Sequence, residues 1–353
     1  MLNRRNFLKL AGTIGAGMFL DIYGSDIVNA IEQAAQEKGV KLVWIQGQSD
    51  SGCTISLLQG SHPDIYDAIM KLNVDIRFHP TIMAAQGEEA MAALNIEPDV
   101  LVVEGAIPDP KFATMGDRPV IDILKELAAK TKIAVVAVGA CATYGGIPAA
   151  NGNVTNSMGV QYYKGKKGGA LGADFKSKAG LPVVNLPGDP AHPDHILLTL
   201  SAVILGEIPE LDDKGRPKFL FSDNIHDQCA RRGFYDKGEF AKSFHETDFS
   251  HEKCLYKLGC RGPVTNSDCA YRKWNSGINV CMNGGAPCIG CFNEGFPDDM
   301  SPLFETIENV PALIGINVAT AGKIAVAATA LGIAAHAIRR GISKNPKRTG
   351  EEK

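Results

Sequence analysis

Between residues 40 and 205 the chain alternates short, almost wholly apolar runs with longer stretches whose apolar positions recur at helical spacing. The runs at 41–45, 74–78, 100–103, 133–138 and 182–185 lack the in–out alternation of a strand with one wet face. They predict strands buried on both sides, as in a parallel sheet. The stretches between them predict helices over 55–72, 88–94, 120–131 and 195–205. Strand followed by helix, repeated, implies an α/β fold built on an open, doubly wound parallel sheet.

Such a sheet is similar to flavodoxin, and its ligands gather beyond the carboxyl ends of the strands, where strand order reverses. Three predicted strands run into loops that carry possible metal ligands. The first enters Gln48-Ser49-Asp50-Ser51-Gly52-Cys53, another Gly139-Ala140-Cys141, and the last Pro187-Gly188-Asp189-Pro190. Residues 206–305 read as a second, mostly irregular domain after this flavodoxin-like one at 40–205.

That second region changes the picture. Seven of the nine cysteines fall between His226 and Cys291, as two successive sets of four soft donors. One set is His226, Cys229, Cys254 and Cys260; the other is Cys269, Cys281, Cys288 and Cys291. Thiolates suit iron–sulfur clusters, four to a cluster, and one imidazole in place of a thiolate is tolerated. Structural zinc uses the same donors and the same C-x2-C spacing. Disulfides are open to an exported chain, although 353 residues can bury a core without them and nine is an odd number. Spacing alone leaves these readings open.

The residues around the donors carry more. Ile225-His226-Asp227-Gln228-Cys229, Cys254-Leu255-Tyr256-Lys257-Leu258-Gly259-Cys260-Arg261-Gly262-Pro263, Trp274-Asn275 and Pro287-Cys288-Ile289-Gly290-Cys291 together resemble the small subunit of membrane-associated, uptake-type nickel–iron hydrogenases. Upstream the resemblance runs through Val102-Val103-Glu104-Gly105-Ala106-Ile107-Pro108, Val138-Gly139-Ala140-Cys141-Ala142-Thr143-Tyr144-Gly145-Gly146-Ile147-Pro148 and Pro187-Gly188-Asp189-Pro190-Ala191-His192-Pro193-Asp194. It covers roughly residues 40 to 305.

The resemblance implies an electron relay rather than a catalytic chain. Hydrogen is split in a separate large subunit that carries the nickel–iron site, so no catalytic residue is expected here. Electrons would pass through proximal, middle and distal iron–sulfur clusters to a membrane cytochrome b or another redox acceptor. The implied distal ligands are His226, Cys229, Cys254 and Cys260, and the implied middle ligands Cys269, Cys281, Cys288 and Cys291. Cys281 stands where many members have proline, which implies a four-iron middle cluster, as in the selenium-containing branch. The proximal position is held by Asp50, Cys53, Cys141 and Asp189, where the family pattern has Cys-x-x-Cys and Pro-Gly-Cys-Pro. A carboxylate keeps the charge of a thiolate but is a harder, less covalent donor. Three readings follow for the proximal position: a cluster held by two cysteines and two aspartates, a smaller cluster or none, or aspartates that are ordinary loop residues. Ser49 replaces a common glutamate, so a proton role there is not expected. Glu104 reads as structural, and so do His79 and His245, each as a buried histidine.

The two ends bear on location. Asn3-Arg4-Arg5-Asn6-Phe7-Leu8-Lys9 before a weakly apolar run reads as a twin-arginine export signal over 1–30. Residues 312–338 are apolar and precede Arg339, Arg340, Lys344, Lys347 and Arg348. They read as a C-terminal membrane anchor helix with a basic cytoplasmic end, despite Asn317, Lys323 and His336. The expected location is the periplasm or the outer face of the cytoplasmic membrane. A net charge of −3 from mixed signs gives no reason to expect nucleic acid. Two rival functions stand beside the relay. A hydrogen-sensing or scaffold subunit draws support from the two aspartates. A quinone-reductase subunit with one cluster is opposed by the two complete ligand sets.

Overall fold

The computed structural model describes residues 39–61, 64–248 and 253–306. The expected export signal at 1–30 and the expected anchor helix at 312–338 lie outside the described residues. Among the described residues no helix is long and apolar enough to cross a membrane.

Five parallel strands form the sheet: β1 (Val40–Gln46), β2 (Val74–Phe78), β3 (Val100–Glu104), β4 (Ala134–Val138) and β5 (Val184–Leu186). Their order across it is β2-β1-β3-β4-β5. The order reverses at β1, which has β2 on one side and β3 on the other, so the loops after β1 and β3 diverge and leave a crevice. Side chains of successive strand residues point to opposite faces, and both faces are dry. Leu42, Trp44, Val102, Val136 and Leu186 join one core, and Val43, Ile45, Leu101, Val103 and Val135 the other. This two-sided burial is why the runs carry no polar alternation.

The helices are α1 (Gly52–Leu58), α2 (Ile65–Leu72), α3 (Gly87–Ala92), α4 (Val120–Lys130), α5 (Gly139–Tyr144) and α6 (Pro193–Ile204). The helix expected over 55–72 is two helices. The break has a packing cause at Gly60: a Cβ there would lie 2.8 Å from Leu197 Cδ1 of α6 and 3.1 Å from the Leu57 carbonyl oxygen. Asp64 then caps α2, its carboxylate accepting from Asp67 N at 2.7 Å. The last strand begins at Val184, two residues later than expected, after Pro182, which has no N–H for a ladder. Beyond residue 206 the chain is mostly irregular, as expected, with short helices such as Lys218–Phe221, Arg232–Asp236 and Cys269–Arg272.

A buried ionic cluster fastens this irregular region to α6. His195 Nε2 lies 2.6 Å from Asp268 Oδ1, and Arg272 holds the other carboxylate oxygen at 2.5 Å while its Nη1 lies 3.5 Å from Asp194. Burial alone would raise the Asp268 carboxyl, yet His195 and Arg272 hold it down to about 2. Removing one member leaves buried charge unmatched. Asp268→Asn is expected to destabilise the protein by about 3 kcal/mol, seen as a lower thermal midpoint of the purified protein.

Candidate cluster-binding sites

The loops after β1, β3, β4 and β5 surround a cleft of about 540 Å³ whose wall includes Asp50, Cys53, Glu104, Cys141 and Asp189. Cys53 sits in the first turn of α1. Asp50 makes a tight turn before it, Oδ1 accepting from Gly52 N at 2.7 Å. Cys141 lies in α5, which starts directly at the end of β4. There Gly139 adopts φ +91°, and a Cβ on it would stand 2.6 Å from Cys53 Sγ. Only glycine leaves that space for a ligand between the two cysteines.

No Lys, Arg or His is among the described residues that line this cleft. Burial pushes the Cys53 thiol well up, and Glu104, Cys141 and Asp189 add to it, although Ala191 N donates to its Sγ at 3.4 Å. Burial and then Asp189 push Cys141 up to about 12. Burial and then Asp50 raise the Asp189 carboxyl. Burial and neighbouring acids thus disfavour the thiolates of Cys53 and Cys141 here, and a cationic metal core is the group that would stabilise them.

The structure brings together the members of both later sets. His226, Cys229, Cys254 and Cys260 line one enclosed cavity with Arg231. Burial, followed by the neighbouring thiols, holds Cys254 at about 12 once a backbone donor at Tyr256 is allowed for. His226 Nε2 is buried with no hydrogen-bond partner, and burial followed by Arg232 lowers the pKa of the ring. A neutral imidazole with a free nitrogen facing thiols is in the form that binds metal. In the other set, Cys269 is raised by burial and then by Cys291 and Cys281, while the Trp274 side chain donates to it. Cys288 is buried and Cys281 exposed.

Contacts run between the three groups. The Asp189 backbone N–H donates to Cys291, and Arg261 N, next to Cys260, donates to the Cys288 carbonyl at 2.7 Å. Among the described residues no three His, Cys, Asp or Glu side chains converge as holders of a single ion. A four-iron cluster takes its ligands from separate irons of a larger core, and cysteines with one histidine are donors that such a core accepts.

Comparison with known proteins gives the same answer. Residues 221–304 match the family of the C-terminal region of the NiFe/NiFeSe hydrogenase small subunit, and residues 51–203 match NADH ubiquinone oxidoreductase, 20 Kd subunit. The F420 non-reducing hydrogenase II small subunit of Methanosarcina mazei is 40% identical over 96% of this chain and 93% of its own length. The chain belongs to the nickel–iron hydrogenase small subunits. The solved structure of a reduced, active Ni-Fe-Se hydrogenase from Desulfomicrobium baculatum is 39% identical, with a TM-score of 0.67 over 76% of this chain and all of that one. An actinobacterial-type NiFe-hydrogenase from Ralstonia eutropha gives a TM-score of 0.70 at 32% identity, covering 89% and 94%. This hydrogenase small subunit is thus an electron-transfer subunit that carries iron–sulfur clusters and pairs with a large subunit. The sensor or scaffold reading is not favoured. The 20 Kd match begins after β1 and ends within α6, so the two later donor sets fall outside it.

Two features escaped the sequence reading. Arg231 is buried, and its guanidinium donates to the carbonyls of Met282, Lys253 and Thr247, tying three segments around the distal and middle donors. The His195–Asp268–Arg272 cluster is the other; its residues are 73 and 77 positions apart, or adjacent in a helix, and share no motif. Of the two isolated histidines, His79 is buried and stacks on Trp44 at 5.0 Å. His245 is exposed, since it sits in a short surface turn beside Ser243 and Glu246.

Proposed function

We propose that this chain relays electrons from hydrogen oxidised in the large subunit through three iron–sulfur centres in a row. The proximal centre is held by Asp50, Cys53, Cys141 and Asp189. The middle four-iron centre is held by Cys269, Cys281, Cys288 and Cys291, and the distal four-iron centre by His226, Cys229, Cys254 and Cys260. The observation that supports this reading is the succession of contacts from the Asp189 N–H to Cys291 and from the Arg261 N–H, next to Cys260, to the Cys288 carbonyl at 2.7 Å. When bound, such clusters supply one-electron steps at potentials set by ligand type, hydrogen bonds to sulfur and burial. The chain's own contribution is to position the donors and to bury the thiols of Cys53, Cys254, Cys269 and Cys288.

The same reading assigns residues 1–30 to export by the twin-arginine route, 40–205 to the sheet domain with the proximal loops, 206–305 to the middle and distal domain, and 312–338 to a C-terminal membrane anchor. Relatives described as periplasmic support export. The acceptor is then a membrane cytochrome b or another redox protein on the outer face of the cytoplasmic membrane.

The test uses two assays on the anaerobically purified heterodimer. His226→Ala is expected to reduce hydrogen-dependent dye reduction by about 10–100-fold, the loss typical of a weakened metal site, while hydrogen–deuterium exchange at the large subunit stays at the parent rate. Loss of both activities, or of neither, would count against an exit role for the His226 site.

A further inference from the structure

The last residue of β3, Glu104, is almost wholly buried at 1% exposure, and its carboxylate has no ligand role in the relay proposed for this chain. Both of its oxygens are saturated with donors. Oε1 accepts from the backbone N–H groups of Cys53 and Thr54 at 3.0 and 3.2 Å. Oε2 accepts from Trp44 Nε1 at 2.9 Å, Gln46 Nε2 at 3.0 Å and Thr54 Oγ1 at 2.5 Å. The main chain is zipped at the same point. Gly47 N donates to the Glu104 carbonyl, while Gln48 and Ala106 exchange two further backbone bonds at 2.8 and 3.1 Å. Gly105, at φ +85°, lets the loops touch, since a Cβ there would lie 2.6 Å from the Gln48 carbonyl oxygen.

We infer that Glu104 is the positioning residue of the proximal centre, holding the start of α1 so that Cys53 Sγ points into the cleft. The inference rests on the proposed proximal centre and adds a residue to it. What distinguishes Glu104 from an ordinary buried acid is the count of donors. Three of the five hydrogens belong to backbone or indole N–H groups, which cannot accept in return, whereas the Gln46 amide and the Thr54 hydroxyl can. An amide in place of the acid would offer its NH2 either to the two backbone N–H groups or to the three donors on the other side. In both orientations donors face donors, and buried donors lose their partner. Glutamine, nearly identical in shape, therefore fails where glutamate works. Aspartate is one methylene shorter and cannot span from β3 to the Cys53 amide and the Trp44 ring together.

The residue acts through Cys53, so its loss is read at the proximal centre and at the loop, separately from turnover. In the heterodimer, Glu104→Gln is expected to speed amide hydrogen exchange of a peptide spanning 47–58 by about tenfold. The same variant is expected to lose or alter the proximal centre's electron paramagnetic resonance signal and leave the middle and distal signals as in the parent. Parental exchange together with an unaltered proximal signal would overturn the inference. If Glu104→Gln does not fold, Trp44→Phe serves instead. It removes one donor and keeps the acid, so a smaller acceleration confined to the same peptide is expected, and parental exchange rejects the idea. A parent protein with iron for only the middle and distal centres would instead defeat the proximal reading. The exchange data would still decide whether Glu104 holds the loop.

Discussion

Asp189→Ala removes about four irons per heterodimer, the share of one four-iron cluster, and lowers hydrogen-dependent dye reduction by at least the roughly 10–100-fold that loss of an outer-shell partner produces. The two aspartates are not equivalent, and the structure ranks them. Asp189 is half-buried, faces Cys53 and Cys141, and through its backbone touches Cys291 of the next set. Asp50 is exposed, and one of its carboxylate oxygens is already engaged by Gly52 N. Asp50→Ala is therefore expected to lose less iron and retain more activity than Asp189→Ala. Replacing both by cysteine supplies four thiolates, and the proximal signal should change in shape while the iron content stays at about twelve beyond the nickel site. Iron analysis and electron paramagnetic resonance of oxidised and reduced samples check all three variants. A parent with about eight such irons, and signals indifferent to every one of these changes, would show that the aspartates hold nothing.

Cys281→Pro should convert the middle centre from four irons to three. Cys281 is the exposed member of its set, while Cys269 and Cys288 are buried, so one corner of the core can be vacated without opening the others to solvent. Proline removes the Cys281 N–H and fixes φ at that residue. The neighbouring turn is held by the Cys281 carbonyl, which accepts from Ala286 N at 2.9 Å and is retained. The expected result is a loss of about one iron per heterodimer and a new signal in the oxidised protein, with a higher middle potential. An unchanged iron count would mean that Cys281 is an inert thiol.

Much of the fold was legible because the strands are buried on both faces. A run such as Val100–Glu104 has few alternatives when every side chain must be dry. Helix 55–72 failed because the periodicity was followed across the breakers Gly60 and Pro63, which the sequence shows. The packing of Gly60 on Leu197, some 137 positions away, is the part that only the fold reveals. The later cysteine-rich region was legible as a hydrogenase small-subunit signature, because metal chemistry fixes residue type and the donors cluster in sequence. Glu104 was legible as a buried acid at a strand end, but its function was not. Its partners come from Trp44, Gln46, Cys53 and Thr54, and a hydrogen-bond count exists only after folding. Arg231 illustrates the same limit, since three carbonyls of distant segments have no sequence signature.

Among the described residues the distal set stands between two cores. Ala241, Leu255 and Leu258, with Cys260 against them, form a small one, while Ile225 belongs to the large core shared with the sheet, and Cys229 and Cys260 pack against it. The three buried side chains of the small core offset only a small part of the ordering entropy of the loops around it. Under the proposed relay, metal–ligand bonds make up the difference, as they do in small metal-dependent domains. Iron supply is then a folding variable: in protein made under iron scarcity the sheet is expected to resist limited proteolysis while the loops of the small core are cut first.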